Sequence, residues 1–488
     1  MDCLMLEKAI KKIRFIEPCD PPYRPSIKNL YTHGKFLRSP GIGIITLATI
    51  AKQHIPDTLA YSELVSKIVW SDVLDADIIL IGIFTYNAPR GYELAHYIRE
   101  NSKAIIVMGG LHASLAPEEA AQHCDYVITG EGDESIPLFI EAVEKGETPN
   151  FFGLYYLQDE ELITTGKPVA PLSFDTVPDR SLVYRYKNMA GHNPIWAQVH
   201  ASRGCPYNCD YCAVIVHLGR KVRTRSVESV IEDIKQAIDF HKGRFIPRIN
   251  RMLWITDDNF FANRDWAISV LKAIINSGIK YKFTVQARYE VGFDDEVLKL
   301  LKQAGFFEIS MGIEFLDNES FEQFNKRCSY DDVLRSIENV KAHGLGIRGL
   351  FIVGADNHKQ GIGQRIVDFV DSHGLHGLLL QSMYFTPSTP AYTANRDRLI
   401  HEDWSRHAGH VVHYPSSISP YDLQLEVIHA LSTLYSPKRL LRALLLANWH
   451  TKMMFFGEFF WHRSIIGDLR AELPLLKVVS EGYLQLES

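Results

Sequence analysis

The sequence predicts an α/β protein in three parts: a doubly wound domain over residues 1–150, a partial (β/α)6 barrel over residues 196–390 and a helical segment over residues 391–488. Residues 151–195 are expected to connect the first two parts. Three observations carry this reading. Short apolar runs alternate with amphipathic stretches in two separate series, proline-rich residues divide the series, and beyond about Tyr392 the strand pattern stops.

In the first series Ile13–Ile16, Ala76–Phe84, Ala104–Met108 and Tyr126–Thr129 read as buried parallel strands, being continuous runs rich in Ile, Leu and Val. Helical stretches are expected at Gly43–Gln53, Gly91–Glu100, Glu118–His123 and Ile136–Lys145. The strand ends run into Thr85-Tyr86-Asn87, Gly109-Gly110-Leu111-His112 and Gly130-Glu131-Gly132-Asp133. Open sheets bind ligands outside the carboxyl ends of their strands, where glycine lets the backbone be approached closely. The connector carries Pro149, Pro168, Pro171, Pro178 and Pro194, with a hairpin expected at Leu154–Ile163.

The second series offers strands at Ala197–Ser202, Met252–Thr256, Lys282–Ala287, Glu308–Ile313, Gly349–Val353 and Leu378–Tyr384. Amphipathic helices lie between them. Val230, Ile231, Ile234, Ala237 and Ile238 make one apolar face behind Ser226 as N-cap, and Asp294 caps a helix that ends at Gly305. A complete barrel needs two further units that the sequence does not supply. The last part is aromatic, with Trp404, Trp449, Phe455, Phe456, Phe459, Phe460 and Trp461. It reads as a small helical domain burying its own core, with a lid over an apolar substrate as the sharper alternative.

The 488 residues are 46% hydrophobic and 23% charged, ordinary for a globular chain, and the net charge of -6 argues against a nucleic-acid surface. A small-molecule partner is expected. Met1–Lys12 has no sustained apolar core, and Leu440–Trp461 is broken by Arg442, His450, Lys452 and Glu458, so neither secretion nor a transmembrane segment is expected. Seven cysteines, an odd number, suit a reducing, cytoplasmic setting better than a disulfide framework.

Three of those cysteines fall together, in Ser202-Arg203-Gly204-Cys205-Pro206-Tyr207-Asn208-Cys209-Asp210-Tyr211-Cys212, directly after the first strand of the second series. Three thiolates on one loop can hold three irons of a cubane cluster and leave the fourth open, as a catalytic site requires. Zinc on these cysteines and His217 is the alternative, disfavoured by the spacing and by the lack of a second Cys or His pair. Arg288 and Glu314 could pair with each other, since buried charges must be paired. The run from Arg220 to Arg225 suits either a solvated turn or contact with an anion.

Cys-x-x-x-Cys-x-x-Cys, with Tyr211 before the last Cys, resembles the signature of the radical S-adenosylmethionine (SAM) superfamily. Thr256–Phe260, Gln286-Ala287-Arg288, Gly312–Phe315 and Phe351–Asp356 resemble the strand ends of that family, in order. The resemblance implies a 4Fe-4S cluster on Cys205, Cys209 and Cys212, and SAM near Tyr211, Asp257, Gln286, Arg288, Glu314 and Gly354. It also implies cleavage of SAM to a 5'-deoxyadenosyl radical, with electrons from a flavodoxin- or ferredoxin-like donor. Ser39–Gly43, Gly109–Ser114 and Gly130–Asp133 resemble the cobalamin-binding domain that precedes the radical module in one branch, although the Asp-x-His-x-x-Gly motif is absent from residues 1–150. On that likeness Ser39, Thr85, Asn87, Gly109, Gly110, His112, Glu131 and Gly132 are expected near cobalamin, with His112 by the nucleotide tail and not on cobalt. Trp404 and Val411–Pro415 resemble an extension of a subgroup that includes hopanoid C-2 methylases. The function so implied is cobalamin-dependent methylation of an unactivated carbon in a small, apolar or lipid-like substrate. A radical cyclisation or rearrangement is the alternative, and a cofactor sensor the non-enzymatic one.

Overall fold

A computed structural model describes residues 10–19, 39–187, 196–241, 252–446 and 449–486. Cys3, Pro194 and most of Met1–Lys12 lie outside them. The first sheet contains β1 (Lys12–Glu17), β2 (Asp57–Ser62), β3 (Ile78–Gly82), β4 (Ile105–Gly109), β5 (Tyr126–Ile128), β6 (Leu154–Gln158) and β7 (Glu161–Thr164). Its order is β2-β1-β3-β4-β5-β6-β7, with the first five strands parallel and the last two antiparallel. Side chains alternate across it. Ile13, Phe15, Ile78 and Leu80 pack on one face against helices Ile42–His54 and Gly132–Glu144, while Ile79, Ile81, Ile106 and Met108 pack on the other against Ala88–Asn101. That is a doubly wound domain whose strand order reverses between β1 and β3, the place where such sheets take ligands.

Two features differ from the expectation. β2 was not foreseen, because Asp57-Thr58-Leu59-Ala60-Tyr61-Ser62 lacks an apolar run, and as an edge strand it needs none. The hairpin expected in the connector forms, but it pairs through Val127–Tyr155 with β5 and extends the first sheet.

The second sheet runs β8 (Trp196–Val199), β11 (Met252–Ile255), β12 (Lys282–Arg288), β13 (Phe306–Glu314), β14 (Gly346–Val353) and β15 (Gly377–Ser382), all parallel and in sequential order. A sheet wound in one direction keeps its helices on one face and curls into part of a barrel. Ser226 and Asp294 cap their helices by accepting from the amides of Ser229 and Val297, and Gly305 ends the second helix at φ +95°. Between β8 and β11 stands a short antiparallel pair, β9 (Ser202–Arg203) with β10 (Arg223–Thr224).

The C-terminal helices do not bury a core of their own. Leu423, Val427, Leu431, Phe459 and Leu469 belong to the same apolar cluster as Ala197, Val285, Ile309 and Leu378 of the barrel. Helix Trp449–Leu486 brings Glu458 to Arg348 of β14, whose Nε also meets Glu308 of β13 at 3.0 Å. Glu458 accepts from Tyr435 at 3.1 Å, so this buried charge group is internally partnered and closes the amino-terminal end of the barrel. Among the described residues no helix is long and apolar enough to cross a membrane.

Candidate active site

Inside the barrel lies a cavity of about 610 Å³, within the range of small-molecule sites. Because strand residues alternate, β12 contributes Thr284 and Gln286, β13 Ser310 and Glu314, and β14 Arg348, Leu350 and Ile352. Tyr211, Cys212 and Tyr384 line its carboxyl-end mouth, and Glu458 and Trp461 its floor. Three expected residues, Tyr211, Gln286 and Glu314, therefore share one cavity with a cysteine of the motif.

Backbone contacts fix the shape of the cysteine loop. Gly204 takes φ +86°, and a Cβ there would meet the Lys221 carbonyl at 2.5 Å, so only glycine lets the loop lie against residues 219–221. The Cys205 amide donates to the Gly219 carbonyl at 3.3 Å, and the Cys212 amide to the Cys209 carbonyl at 3.0 Å. Burial raises the Cys205 thiol and pushes Cys212 up to about 12. Iron binding would displace those protons. Among the described residues no group of three or more His, Cys, Asp or Glu side chains is arranged to hold a metal ion. A cubane takes its thiolates on separate irons, which the loop's spaced cysteines can serve.

Around the loop the expected residues take distinct positions. Arg288 lies 3.7 Å from the centre of the Tyr207 ring, with Nη1 3.7 Å from Cys209 Sγ, and pairs with Glu290 at 3.0 Å. Glu314 faces Lys326 at 3.4 Å, so the Arg288–Glu314 pair does not form. Glu314 also adopts φ +66°, a strained conformation for a residue with a side chain, of the kind found at ligand sites. Asp257 is occupied otherwise: its carboxylate accepts from the Ala201 amide at 2.6 Å and the Ser202 hydroxyl at 2.5 Å, tying the end of β8 to the following turn. Burial pushes it up to about 7. Gly354 is enclosed by His358 and His413, outside the cavity wall. Gln198, Trp254, Arg348 and Tyr384 line the cavity without having been singled out, the period-2 register of the strands marking Gln198 and Trp254; Trp461, one of the aromatics for which a lid over the substrate was the sharper alternative, lines it too.

At the first sheet most expected residues are used by the protein itself. Asn87 accepts from the Phe84 amide at 2.7 Å and donates to the Pro18 carbonyl at 3.1 Å. Gly110 takes φ +94°, and a Cβ there would meet the Ile83 carbonyl at 2.8 Å. Gly132 packs under Leu47, and Gly109 would make only ordinary contact with Ile128. Ser39 meets the Tyr186 hydroxyl at 3.1 Å. His112 is wholly buried, with Nδ1 3.4 Å from the Thr85 hydroxyl, Nε2 3.6 Å from Glu119 and its ring edge-on to Trp404, so it is not open to cobalt. Glu131 binds Arg203 and Arg223. Of the basic run, Arg223 and Arg225 are thus paired internally, the latter to Asp233 at 2.7 Å. Gly82, at the end of β3 beside the strand-order reversal, differs: among the described residues a Cβ there would find nothing within 4 Å. Phe84 and Tyr86 stand stacked just beyond, at 5.7 Å. Backbone open to close approach beside two aromatic rings fits a flat macrocycle such as a corrin.

The radical SAM superfamily model matches residues 199–361, and the B12 binding domain model matches residues 53–140. An uncharacterized methyltransferase of Synechocystis is 27% identical over 79% of this chain and 69% of its own length. The hopanoid C-2 methylase of Rhodopseudomonas palustris is 22% identical over 75% of this chain and 69% of its own. The structure of the radical SAM methyltransferase TsrM from Kitasatospora setae, solved with cobalamin and a [4Fe-4S] cluster, superposes with a TM-score of 0.70 at 13% identity, covering 95% of this chain and 99% of that one, which establishes the common fold. With the cysteine loop at the mouth of a six-stranded partial barrel and a doubly wound domain ahead of it, the chain carries a radical SAM domain over residues 199–361 preceded by a B12-binding domain over residues 53–140.

Proposed function

We propose that this enzyme methylates an unactivated carbon of a small molecule, using a 4Fe-4S cluster on Cys205, Cys209 and Cys212, SAM and cobalamin. The observation that carries the reading is the cavity that begins at Cys212 and runs down the barrel interior. The similarity to an uncharacterized methyltransferase and to a hopanoid C-2 methylase supports methyl transfer. When bound, the cluster supplies an electron to SAM and cobalamin supplies a methyl carrier.

The chain's own residues position and enclose. Glu314 and Gln286, on neighbouring strands with Gln286 opposite Ser310 and Glu314 four residues nearer the mouth, offer an acceptor and an amide within one cavity to a bound amino acid group, and Tyr211 walls the mouth. Tyr211 is held neutral, burial raising its phenol well above the usual value, so it serves as a ring and a hydrogen-bond donor. Trp461, Tyr384 and the Glu458–Arg348 group line the cavity and narrow its contact with water, which would protect a radical from side reactions. Arg288, stacked on Tyr207 beside Cys209, adds positive charge next to the proposed cluster. The electron donor is a reduced flavodoxin- or ferredoxin-like protein of a reducing, cytoplasmic compartment.

The test is product stoichiometry in anaerobically reconstituted protein given cobalamin, SAM labelled in its methyl group, a reductant and a small-molecule cell extract. Methyl transfer yields S-adenosylhomocysteine and 5'-deoxyadenosine together, with the label in a new product. 5'-Deoxyadenosine alone would favour cyclisation or rearrangement instead.

A further inference from the structure

The loop that carries all three cysteines is closed at its neck by a single antiparallel pair, Arg203 of β9 opposite Arg223 of β10. Both guanidiniums meet Glu131 of the first domain, and Arg203 also meets Asp133. Arg203 donates through Nη1 to Glu131 at 2.5 Å and to Asp133 at 2.7 Å, and through Nη2 to Asp133 at 3.2 Å. Arg223 donates through Nη1 to the same Glu131 oxygen at 3.0 Å and through Nη2 to its other oxygen. Arg203 is further held over the Phe174 ring of the connector, 4.3 Å from its centre. The four charged side chains are between 6% and 14% exposed, so water replaces little of this network if it opens. Two cations meet two anions, the balance a buried group requires. Burial opposes the charge of Glu131, yet the arginines prevail and keep its carboxyl below the usual range.

No motif chemistry demands this arrangement. A cluster loop could be braced entirely from within the barrel, and Asp257 already does so at Ala201 and Ser202. The neck is instead gripped from outside, by the turn that ends β5 and opens helix Gly132–Glu144.

We propose that Glu131 and Asp133 of the first domain, by clamping Arg203 and Arg223, are positioning residues that set the geometry of the cysteine loop and so couple the B12-binding domain to the iron–sulfur site. This rests on the reading that Cys205, Cys209 and Cys212 hold the cluster. A bidentate fork fixes direction as well as distance, which a point charge cannot, so the clamp orients the loop and does more than attract it.

The experiment uses the full chain, reconstituted anaerobically with iron, sulfide and cobalamin. Glu131→Gln, Asp133→Asn and Arg203→Lys are compared with wild type for iron content, cobalamin absorbance, SAM affinity and the electron paramagnetic resonance spectrum of the reduced cluster with and without SAM. Expected are near-normal iron and cobalamin, a SAM affinity lower by about 10–100-fold as for other outer-shell partners of metal ligands, and a smaller change of the spectrum on adding SAM. The variant Arg203→Gln combined with Asp133→Asn, which removes one charge of each sign, should fold even where a single loss does not, and should still show the weakened SAM response. Unchanged affinity and spectrum in the folded variants would overturn the proposal, as would loss of cobalamin with a normal SAM response. Absence of a cluster from wild type would instead sink the underlying assignment.

Discussion

At the rim of the barrel, Tyr211, Gln286 and Glu314 turn into one shared cavity, whereas at the rim of the first sheet Asn87, Gly110, His112 and Glu131 are spent on the protein's own contacts. Both sets were singled out in the same way, by their place at strand ends. The difference lies in what each rim must hold. On the proposed reading, SAM is small enough to be surrounded by side chains, and the barrel's inward-facing residues would serve it; a corrin is a broad plate to be laid against backbone, and among the described residues Gly82 ends its strand with nothing against its Cα hydrogens while the neighbouring side chains brace loops.

That contrast can be broken at the barrel first. Replacing Cys205, Cys209 and Cys212 together by Ala should abolish the cluster and all 5'-deoxyadenosine formation, while cobalamin binding persists; iron analysis and absorbance read the two separately. A full iron complement in the triple variant would remove the barrel's side of the comparison.

At the first rim two glycines should behave oppositely. Gly110→Val places a branched side chain at positive φ against the Ile83 backbone and should lower stability by about 2–5 kcal/mol, seen as a large fall in Tm with cobalamin lost only as a consequence. Gly82→Val sits in an open strand position and should leave Tm nearly unchanged while weakening cobalamin binding. If Gly82→Val binds cobalamin normally, the corrin does not lie at that strand end.

Smaller effects sharpen the same line. Glu314→Ala should keep the cluster but slow SAM cleavage by about tenfold or more, of the order found for a lost charged contact; an unchanged rate would make Glu314 a partner of Lys326 and nothing else. Asn87→Ala forfeits two buried hydrogen bonds and should cost about 1–2 kcal/mol, with no effect on cobalamin affinity measured below the lowered Tm.

The periodicities of the sequence sufficed for both alternations, because buried strands advertise themselves as apolar runs and amphipathic helices as a 3.6-residue repeat. They sufficed also for the cysteine loop, since three ligands so close in sequence need no tertiary structure to be brought together. The edge strand β2 escaped notice for want of an apolar run, and the aromatic tail left two readings open, a core of its own or a lid over the substrate, because composition alone does not say what aromatic side chains pack against. Only the tertiary structure decided which strand-end residues face a ligand and which face each other. Asp257 and Gln286 are alike in sequence position, yet one ties down a turn and the other lines the cavity, and Glu131 finds its arginines more than 70 residues away. Those outcomes depend on where side chains meet across elements, a distance that spacing along the chain does not encode.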